Sequence, residues 1–336
     1  MLEHTTVLIT GGAGYIGSHA VLALRAAGCR AIVLDDLSSG RRAAVPEDVP
    51  FVEGDVGDIA LVREVFRKHG VSAVVHFAGS IVVPESVRDP LKYYRNNTCA
   101  SRNLLEACID NRVRHFIFSS TAAVYGIPEQ VPVSETAPTR PINPYGASKL
   151  ATEWMLRDTA AARDFDYVAL RYFNVAGADP LARSGQSSQN PTHLIEVVSQ
   201  VALGLRDHLE IFGDDYDTPD GTCIRDYIHV SDLAEAHVLA LRHLLDGGPT
   251  VILNLGNERG FSVREVVAAA RRVTGRSVPV RIGPRRPGDP AQLVADATQA
   301  RRLLAWRPAR AEIDTQIADA WRWHRRCLGG AGSGGG

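Results

Sequence analysis

Short apolar segments alternate with longer amphipathic segments along the first half of the chain, up to about residue 175. The short segments are rich in β-branched residues and apolar throughout, which is typical of strands buried on both faces of a parallel sheet. They predict strands at residues 6–10, 31–34, 49–53, 73–77, 115–120 and 167–172. The segments between them predict helices at 15–28, 58–69, about 90–110 and 144–163. This order predicts an α/β fold, a Rossmann-type doubly wound parallel sheet with helices on both faces.

The pattern changes after Asn174, where residues 177–192 are polar and rich in glycine and proline. A loop of this length in a compact domain often serves a function. Beyond it the sequence predicts helices at 193–205, 231–246, 262–274 and 312–326, and strands near 251–255 and 278–282. We expect these elements to form a smaller C-terminal α/β lobe over the carboxyl edge of the sheet, where doubly wound folds bind ligands. The predicted division is a Rossmann domain at 1–176, a substrate-binding lobe at 177–328 from which some segments return to the first domain, and a disordered Gly-rich tail at 329–336.

Composition narrows the classes of function. The 336 residues suffice for two subdomains that share one site, and the net charge of −1 argues against nucleic-acid binding through bulk positive charge. No apolar run approaches the roughly 20 residues that span a bilayer, and the N-terminus lacks the basic start of a secretory signal. The five cysteines are scattered without a CxxC pair, which disfavours a disulfide framework or a thiolate metal site. We therefore expect a cytoplasmic protein that holds no metal and binds neither nucleic acid nor membrane.

Three glycines follow the first predicted strand and open the first predicted helix. Gly11 permits a tight turn, Gly14 lets the backbone approach a pyrophosphate, and Gly17 lets the helix pack closely on the strand. The first helical turn, with Tyr15 and Ile16, then directs free N–H groups and the positive end of the helix dipole at the phosphates. The spacing and placement predict a dinucleotide-binding turn.

Acidic residues at the end of the second predicted strand select the dinucleotide. Asp35 and Asp36 lie about 20 residues after the glycines, where a carboxylate accepts hydrogen bonds from the adenosine ribose and would repel a 2′-phosphate. Arg41 and Arg42 argue for the phosphate, but they follow two acids and are expected on the surface. The sequence therefore favours NAD over NADP. Later strand ends provide candidates for the adenine pocket and for the backbone facing the nicotinamide ribose, namely Asp55, Val56, Phe77, Ala78 and Gly79.

A tyrosine and a lysine share one face at the start of a predicted helix. Tyr145 and Lys149 are four residues apart, after Asn143 as N-cap and Pro144 as the first helical residue. A nearby ammonium and a positively charged nicotinamide would both favour the phenolate, which accepts a proton. Lys149 is one of only three lysines in a chain that otherwise uses arginine, which indicates a need for a compact ammonium. The hydroxyl of Thr121, at the end of a strand, can bond either the phenol or a substrate hydroxyl.

Seven motifs carry a resemblance to a known family: GGAGYIGSH, HFAG, FSSTAAVYG, NPYGASK, RYFNVAGA, IFGDDYDTPDGTCIRDYIHV and RRPGDP. From about residue 5 to 325 the chain resembles the extended short-chain dehydrogenase/reductases, and among them most closely the 4-epimerases of UDP-hexoses. The resemblance implies tightly held NAD, a UDP-hexose substrate and a homodimer. It also implies that Tyr145, Lys149 and Thr121 are catalytic.

The resemblance assigns further positions to each ligand. It implies cofactor contacts from Gly11, Gly14, Tyr15, Ile16, Gly17, Asp35, Asp36, Asp55, Val56, Phe77, Ala78, Gly79, Asn96, Ser119, Tyr145, Lys149 and Tyr172. It implies substrate contacts from Ser119, Thr121, Tyr145, Phe173, Asn174, His193, Leu194, Phe212, Arg225, Arg286 and Asp289. The chemistry of these residue types fits, since arginines suit a diphosphate, a carboxylate suits a ribose and an aromatic ring suits the uracil region.

The chain departs from the family pattern near the sugar and phosphate positions. Ile81 stands where some members have a lysine after HFAG, which removes a possible phosphate contact. Leu293 stands where some members have an aromatic residue in the sugar pocket, which leaves open whether N-acetylated hexoses are accepted. His193 and Glu196 replace an asparagine and a proline of other members.

The same motifs occur with three functions other than epimerisation. A 4,6-dehydratase needs an acid/base pair, which related enzymes place directly after the strand-end threonine, whereas this chain has Ala122 and Ala123 there. A reductase, in which bound NAD(P)H exchanges with free cofactor, remains an alternative. A non-enzymatic dinucleotide sensor has no use for Tyr145 and Lys149. We predict 4-epimerisation of UDP-glucose and UDP-galactose through a transient 4-keto sugar, in a homodimer.

We expect that dimer to pair through the 90–110 and 144–163 helices. Their predicted outer apolar stripes contain Leu104, Ala107, Cys108, Leu150, Trp154 and Leu156.

Overall fold

The structure is a computed structural model that describes residues 2–187, 193–286 and 288–331. Its strands are β1 (Thr6–Thr10), β2 (Arg30–Asp35), β3 (Phe51–Glu53), β4 (Ala73–His76), β5 (His115–Thr121), β6 (Asp166–Tyr172), β7 (Asn174–Ala176), β8 (Leu209–Phe212), β9 (Ile224–His229), β10 (Val251–Leu255), β11 (Gly260–Ser262), β12 (Val280–Gly283) and β13 (Gln292–Leu293). Its helices are α1 (Tyr15–Ala26), α2 (Ile59–His69), α3 (Val83–Arg88), α4 (Pro90–Tyr93), α5 (Ala100–Asp110), α6 (Pro144–Ala162), α7 (Leu194–Ala202), α8 (Val230–Leu245), α9 (Val263–Thr274), α10 (Thr298–Leu304) and α11 (Ile313–Ala331). Within these described ranges we find no helix that is both long and apolar enough to cross a membrane.

The main sheet is a seven-stranded parallel sheet in the order β10-β6-β5-β4-β1-β2-β3. The strand order reverses direction between β1 and β4, and the carboxyl ends of strands at such a point form the ligand-binding crevice of doubly wound folds. The predicted Rossmann-type α/β fold is therefore confirmed.

Two apolar cores, one on each face of this sheet, explain why the strands lack an alternating pattern. Val7 and Ile9 of β1 belong to one core, which also includes side chains of α1 and α8. Leu8, between them, belongs to the other core with side chains of α2 and α5. Because both faces are covered, adjacent positions such as Val7, Leu8 and Ile9 are all apolar.

Two segments predicted for the lobe pack with the main sheet. Strand β10 extends the main sheet beside β6, and α8 packs on α1 and behind β5 and β6. The helix predicted at 90–110 is also divided, since α4 continues through a π-helical turn at Tyr94–Cys99 into α5.

The predicted dimer stripe on these helices is wrong at five of its six positions. Leu104, Ala107, Cys108, Leu150 and Leu156 are buried in the protein's own core. Trp154 differs from them, since 51% of its surface is exposed. A helix that covers a sheet buries its apolar side against that sheet. An apolar stripe in the sequence therefore does not show whether the stripe faces the sheet or another subunit.

The remaining elements form the smaller lobe. Strand β9 pairs with β7, β11 and β13, while β8 pairs with β12, and α7, α9 and α11 pack around a third apolar core. Most of these strands were absent from the prediction because they are only two to six residues long. Residues 177–187 of the predicted loop have irregular backbone with turns, and 188–192 lie outside the described residues. Helix α11 extends three residues into the predicted tail, whose residues 332–336 also lie outside.

The turn between β1 and α1 depends on two glycines in contact. Gly11 has a positive φ of 71°, and a Cβ on Gly17 would lie 2.1 Å from the Gly11 carbonyl oxygen. Gly14 is less constrained, because its φ is −78° and a Cβ there would lie 3.3 Å from the same oxygen. Of Gly14 and Gly17, therefore, only Gly17 is required for the close packing of α1 on the end of β1.

We expect Gly17→Ala to destabilise the protein strongly, because the clash is with backbone and no rotamer change relieves it. A cost of about 3 kcal/mol corresponds to a fall in Tm of roughly 4 °C for a chain of this length. Gly14→Ala is the matched control in the same turn and should change the Tm of the NAD-free protein by less than about 2 °C. Thermal unfolding of both variants measures this, and equal losses in Tm would contradict the packing argument.

Candidate active site

The first part of the site is the β1–α1 turn with the end of β2. The buried carboxylate of Asp35 accepts hydrogen bonds from the backbone N–H groups of Ala13 and Leu37, each at 2.9 Å. Gly14, which has no side chain, is the N-cap of α1, so the first helical turn is open to an anion. The tight turn, which a Cβ would fill, and the helix N-terminus fit the pyrophosphate of a dinucleotide. The carboxylate beside them fits its ribose. Burial raises the pKa of Asp35, opposed by the two backbone hydrogen bonds.

Other predicted cofactor residues surround this turn. The Tyr15 hydroxyl donates to the Gly177 carbonyl at 2.6 Å, which joins α1 to the segment after β7. Asp36 is exposed and accepts from the backbone and hydroxyl of Ser38, while Asp55 accepts from the Gly57 N–H. Val56 is buried, Ile16 is half-buried, and Phe77 packs on His237 with ring centroids 4.7 Å apart.

The backbone after β4 is held by an asparagine that the sequence analysis missed. Asn97 is buried in the π-helical turn, where its Oδ1 accepts the Ser80 N–H at 2.7 Å and its Nδ2 donates to the Ser80 carbonyl at 3.0 Å. The predicted Asn96 is only half-buried and donates to the Ser80 hydroxyl at 3.0 Å. Tyr93, Asn97 and Ser101 are four residues apart and all buried, so they lie on one helix face. This spacing could have identified Asn97, rather than Asn96, as the inward-facing asparagine.

The predicted catalytic residues meet at the carboxyl ends of β5 and β6. Tyr145 hydrogen-bonds Thr121, the last residue of β5. The Lys149 ammonium donates to the Ser119 carbonyl at 3.1 Å, and the Ser119 hydroxyl bonds the Tyr172 hydroxyl. All five residues are buried or nearly so, and Asn143 caps the helix by accepting the Gly146 N–H at 2.9 Å.

Burial dominates the protonation of this group. It raises the pKa of Tyr145, and the hydrogen bond with Thr121 acts in the opposite direction. Burial lowers the pKa of Lys149 to about 8. The predicted lowering of the Tyr145 pKa comes in the structure from Thr121, while the Lys149 ammonium donates to the Ser119 carbonyl.

The lobe brings four predicted substrate residues together. The Arg286 guanidinium lies 4.1 Å from the centroid of the Phe212 ring. Arg225 and Arg286 both approach Asp289, at 3.6 Å and 3.5 Å. Arg225 is buried and donates to the carbonyl of Pro290 at 2.9 Å, which fixes its direction. Two cations, a carboxylate and an aromatic face in one cluster fit a nucleoside diphosphate.

Short strands connect this cluster to the sheet edge. Asn174 begins β7, which pairs with β9, and Leu293 lies opposite Arg225 in the β13–β9 pair. Leu293 is half-buried against a small core that contains Ala122 and Phe173, beside the end of β5. The partly exposed His193 is the N-cap residue of α7, ahead of Leu194, but its side chain makes no capping hydrogen bond. Burial lowers the pKa of His193. Ile81 is exposed.

Comparison with known proteins gives one consistent relationship. A family model described as "NAD dependent epimerase/dehydratase family" matches residues 7–256. The UDP-glucose 4-epimerase of Azospirillum brasilense is 59% identical over 333 residues, covering 98% of this chain and 96% of that protein. A crystal structure of UDP-glucose 4-epimerase from Bifidobacterium longum in complex with NAD+ and UDP matches with a TM-score of 0.92 at 40% identity, covering 97% of this chain and 100% of that one. The UDP-Glc/GlcNAc 4-epimerase from Campylobacter jejuni matches with a TM-score of 0.84 at 46% identity, covering 96% of this chain and 100% of that one.

These similarities extend over nearly the whole chain. They confirm the predicted family and fold, the use of NAD and the assignment to an enzyme of the epimerase type. The chain belongs to the NAD dependent epimerase/dehydratase family.

Proposed function

We propose that this chain is a UDP-glucose 4-epimerase, which interconverts UDP-glucose and UDP-galactose through a transient 4-keto sugar. The observation that carries the proposal is the buried group of Tyr145, Thr121 and Lys149 at the sheet edge, combined with the Arg225–Arg286–Asp289 cluster of the lobe. The first group suits proton transfer at a sugar hydroxyl, and the second suits a diphosphate. Relatives that cover nearly the whole chain carry the same activity in their names.

Tyr145 is the proposed acid/base. NAD, when bound, supplies the chemistry of accepting a hydride from the sugar and returning it. Tyr145 takes the proton of the 4-hydroxyl, and Thr121 holds the phenol by a hydrogen bond that favours its ionised form. Lys149 donates to the Ser119 carbonyl and so holds α6, with Tyr145 one turn earlier, against the end of β5. Asp35 and Asp36 disfavour a 2′-phosphate, which supports NAD rather than NADP.

The lobe residues are proposed to hold the nucleotide end of the substrate. Arg225 and Arg286 bind the diphosphate, Asp289 binds the uridine ribose, and Phe212 lies against the uracil. His193, Leu194, Asn174, Phe173 and Ser119 complete the substrate contacts on the sheet side.

A homodimer is also part of the proposal, on a surface different from the predicted stripe. Helices α3 and α4 pack on α6, and their exposed apolar side chains Val87 and Leu91 accompany Tyr94 and Trp154. Exposed large apolar side chains on neighbouring helices support a protein interface here. The cytoplasm remains the predicted location, on the ground of five free cysteines.

We expect the purified protein, without added nucleotide, to convert UDP-galactose into UDP-glucose, because a cofactor restored in each turnover need not exchange. Separation of the two UDP-sugars by chromatography measures the conversion. Turnover that requires stoichiometric NADH or NADPH would establish the reductase reading instead.

Tyr145→Phe is the matched control for that assay, since it removes only the hydroxyl. It should lower kcat by about a thousandfold or more while the protein still binds UDP. Near-normal turnover would show that another group transfers the proton.

We expect measurable but secondary activity on UDP-N-acetylglucosamine, because Leu293 is smaller than the aromatic residue of some family members. One change in such a pocket discriminates by about 10- to 200-fold. Leu293→Tyr should therefore reduce turnover of the N-acetylated sugar and largely retain that of UDP-glucose, with volume-conserving Leu293→Met as the control. Absence of N-acetyl turnover in the wild type would show that another residue closes the pocket.

We expect a mass of twice the chain's in solution at micromolar concentration. Trp154→Glu should shift it toward a single chain, because a charge would then be buried in the proposed interface. Glu106→Gln, a change at a half-exposed site on neighbouring α5, is the control. A wild-type protein with the mass of one chain would contradict the dimer.

A further inference from the structure

A buried ion pair lies directly behind the proposed catalytic residues. Tyr145, Lys149 and Glu153 are spaced four residues apart on α6, and all three are buried. Glu153 accepts two hydrogen bonds from Arg171 of β6, at 2.9 Å from Nε and 2.5 Å from Nη2. The side chains of the pair are only 2% and 5% exposed, so both charges are removed from water.

The same carboxylate also holds β5. Its Oε1 accepts the hydroxyl of Ser120 at 2.5 Å. Ser120 lies between Ser119, whose carbonyl accepts the Lys149 ammonium, and Thr121, which bonds the Tyr145 phenol. One side chain of α6 therefore binds the strand residue that separates the two contact points of the catalytic group.

Arg171 carries the connection farther across the sheet. In the β5–β6 register it lies opposite Ser120, one residue before Tyr172. Its Nη1 donates to the Tyr125 hydroxyl at 3.0 Å, and that hydroxyl donates to Asn254 of β10 at 2.7 Å. Three adjacent strands and α6 are thus joined through directional hydrogen bonds at the carboxyl edge.

Stability alone does not account for such a pair. Replacing a buried ion pair with well-packed apolar residues is often neutral or stabilising, because the cost of desolvation offsets the attraction. What apolar packing lacks is direction: it tolerates small slides of a helix on a sheet, whereas a two-pronged arginine–carboxylate contact does not. A displacement of 1 Å in a catalytic group costs about a hundredfold in rate.

We propose that Glu153 is a positioning residue, which holds α6 at the height where Tyr145 meets Thr121, through its bonds to Ser120 and Arg171. This inference rests on the proposed role of Tyr145 in epimerisation. Glu153 contacts neither reacting group, so its effect passes through the placement of the helix.

The experiment uses the full-length protein with its retained NAD, at a temperature far below the Tm of every variant. Ser120→Ala removes one hydrogen bond and leaves no unpaired charge, and we expect it to lower kcat about tenfold. Glu153→Gln should lower kcat about a hundredfold with the KM for UDP-galactose changed less than about threefold. The double variant Glu153→Met with Arg171→Met keeps the volume and removes both charges, and it should lower kcat as much as Glu153→Gln while recovering Tm.

The pH profile separates positioning from stability. The hydrogen bond with Thr121 lowers the pKa of Tyr145, so a phenol displaced from Thr121 has a higher pKa. The phenolate is the form that accepts the proton, and therefore the acid limb of kcat/KM should move to higher pH, by roughly half a unit or more, in Ser120→Ala and Glu153→Gln. A purely structural role would lower Tm without moving this limb.

Asp232 supplies a matched control away from the site. It is fully buried and binds Arg310 at 3.0 Å, linking α8 to the segment before α11. Asp232→Asn should lower Tm and leave kcat and the acid limb unchanged. If Ser120→Ala and Glu153→Gln behave like Asp232→Asn, the positioning role is refuted.

Combination with Tyr145→Phe keeps this inference distinct from the proposed function. In that background Ser120→Ala should have no further effect on kcat, because the phenol to be placed has gone. A full additional loss would refute positioning through Tyr145. If Tyr145→Phe itself retains turnover, the proposed mechanism fails. If Tyr145→Phe is inactive but Glu153→Gln and Ser120→Ala turn over normally, only the positioning role is refuted.

Discussion

The buried ammonium of Lys149 is the constraint around which the rest of the site is arranged. A cation removed from water needs a partner, and here it donates to the Ser119 carbonyl at 3.1 Å and lies 5.0 Å from the centroid of the Phe118 ring. Both partners belong to β5, so the charge fixes α6 against the end of that strand. Tyr145, one turn earlier on the same helix, then reaches the side chain of Thr121 at the end of that strand.

The neighbouring strand is adapted to the same charge. His76, at the end of β4, is fully buried, and its pKa is lowered to about 3 by burial and by the charge of Lys149. The imidazole therefore stays neutral, with one ring nitrogen 2.6 Å from the Thr10 hydroxyl and the other 2.8 Å from the Ser101 hydroxyl. A second cation beside Lys149 is avoided, and the ring links β1, β4 and α5 instead. The ends of the central strands are thus coupled by polar contacts that carry no net charge of their own.

The sequence indicated those features that local chemistry determines. The apolar strands, the glycine turn and the Tyr145–Lys149 spacing depend on residues close together in the chain, and the fold places them as expected. Features that depend on distant partners were missed. Nothing near Glu153 reveals that Arg171 lies opposite it, because the pair forms only when α6 lies across β6. Leu104 was wrongly predicted to lie in an interface for the same reason, since the apolar pattern of a helix does not identify the surface that it packs against.

The separation of the two clusters is what gives the proposed chemistry its freedom. Arg225, Arg286 and Asp289 belong to the lobe, whereas Tyr145 and Thr121 belong to the edge of the main sheet. A substrate held firmly at its diphosphate keeps its affinity while its sugar turns, because the binding energy comes from charges that do not touch the ring. Epimerisation would require the 4-keto carbon to present first one face and then the other to the same hydride carrier, with its 4-oxygen near the same acid/base group each time. A site that bound the hexose tightly would favour one orientation of the sugar. Tight binding therefore helps at the diphosphate in the lobe, whereas beside Tyr145 it would slow the turning of the sugar.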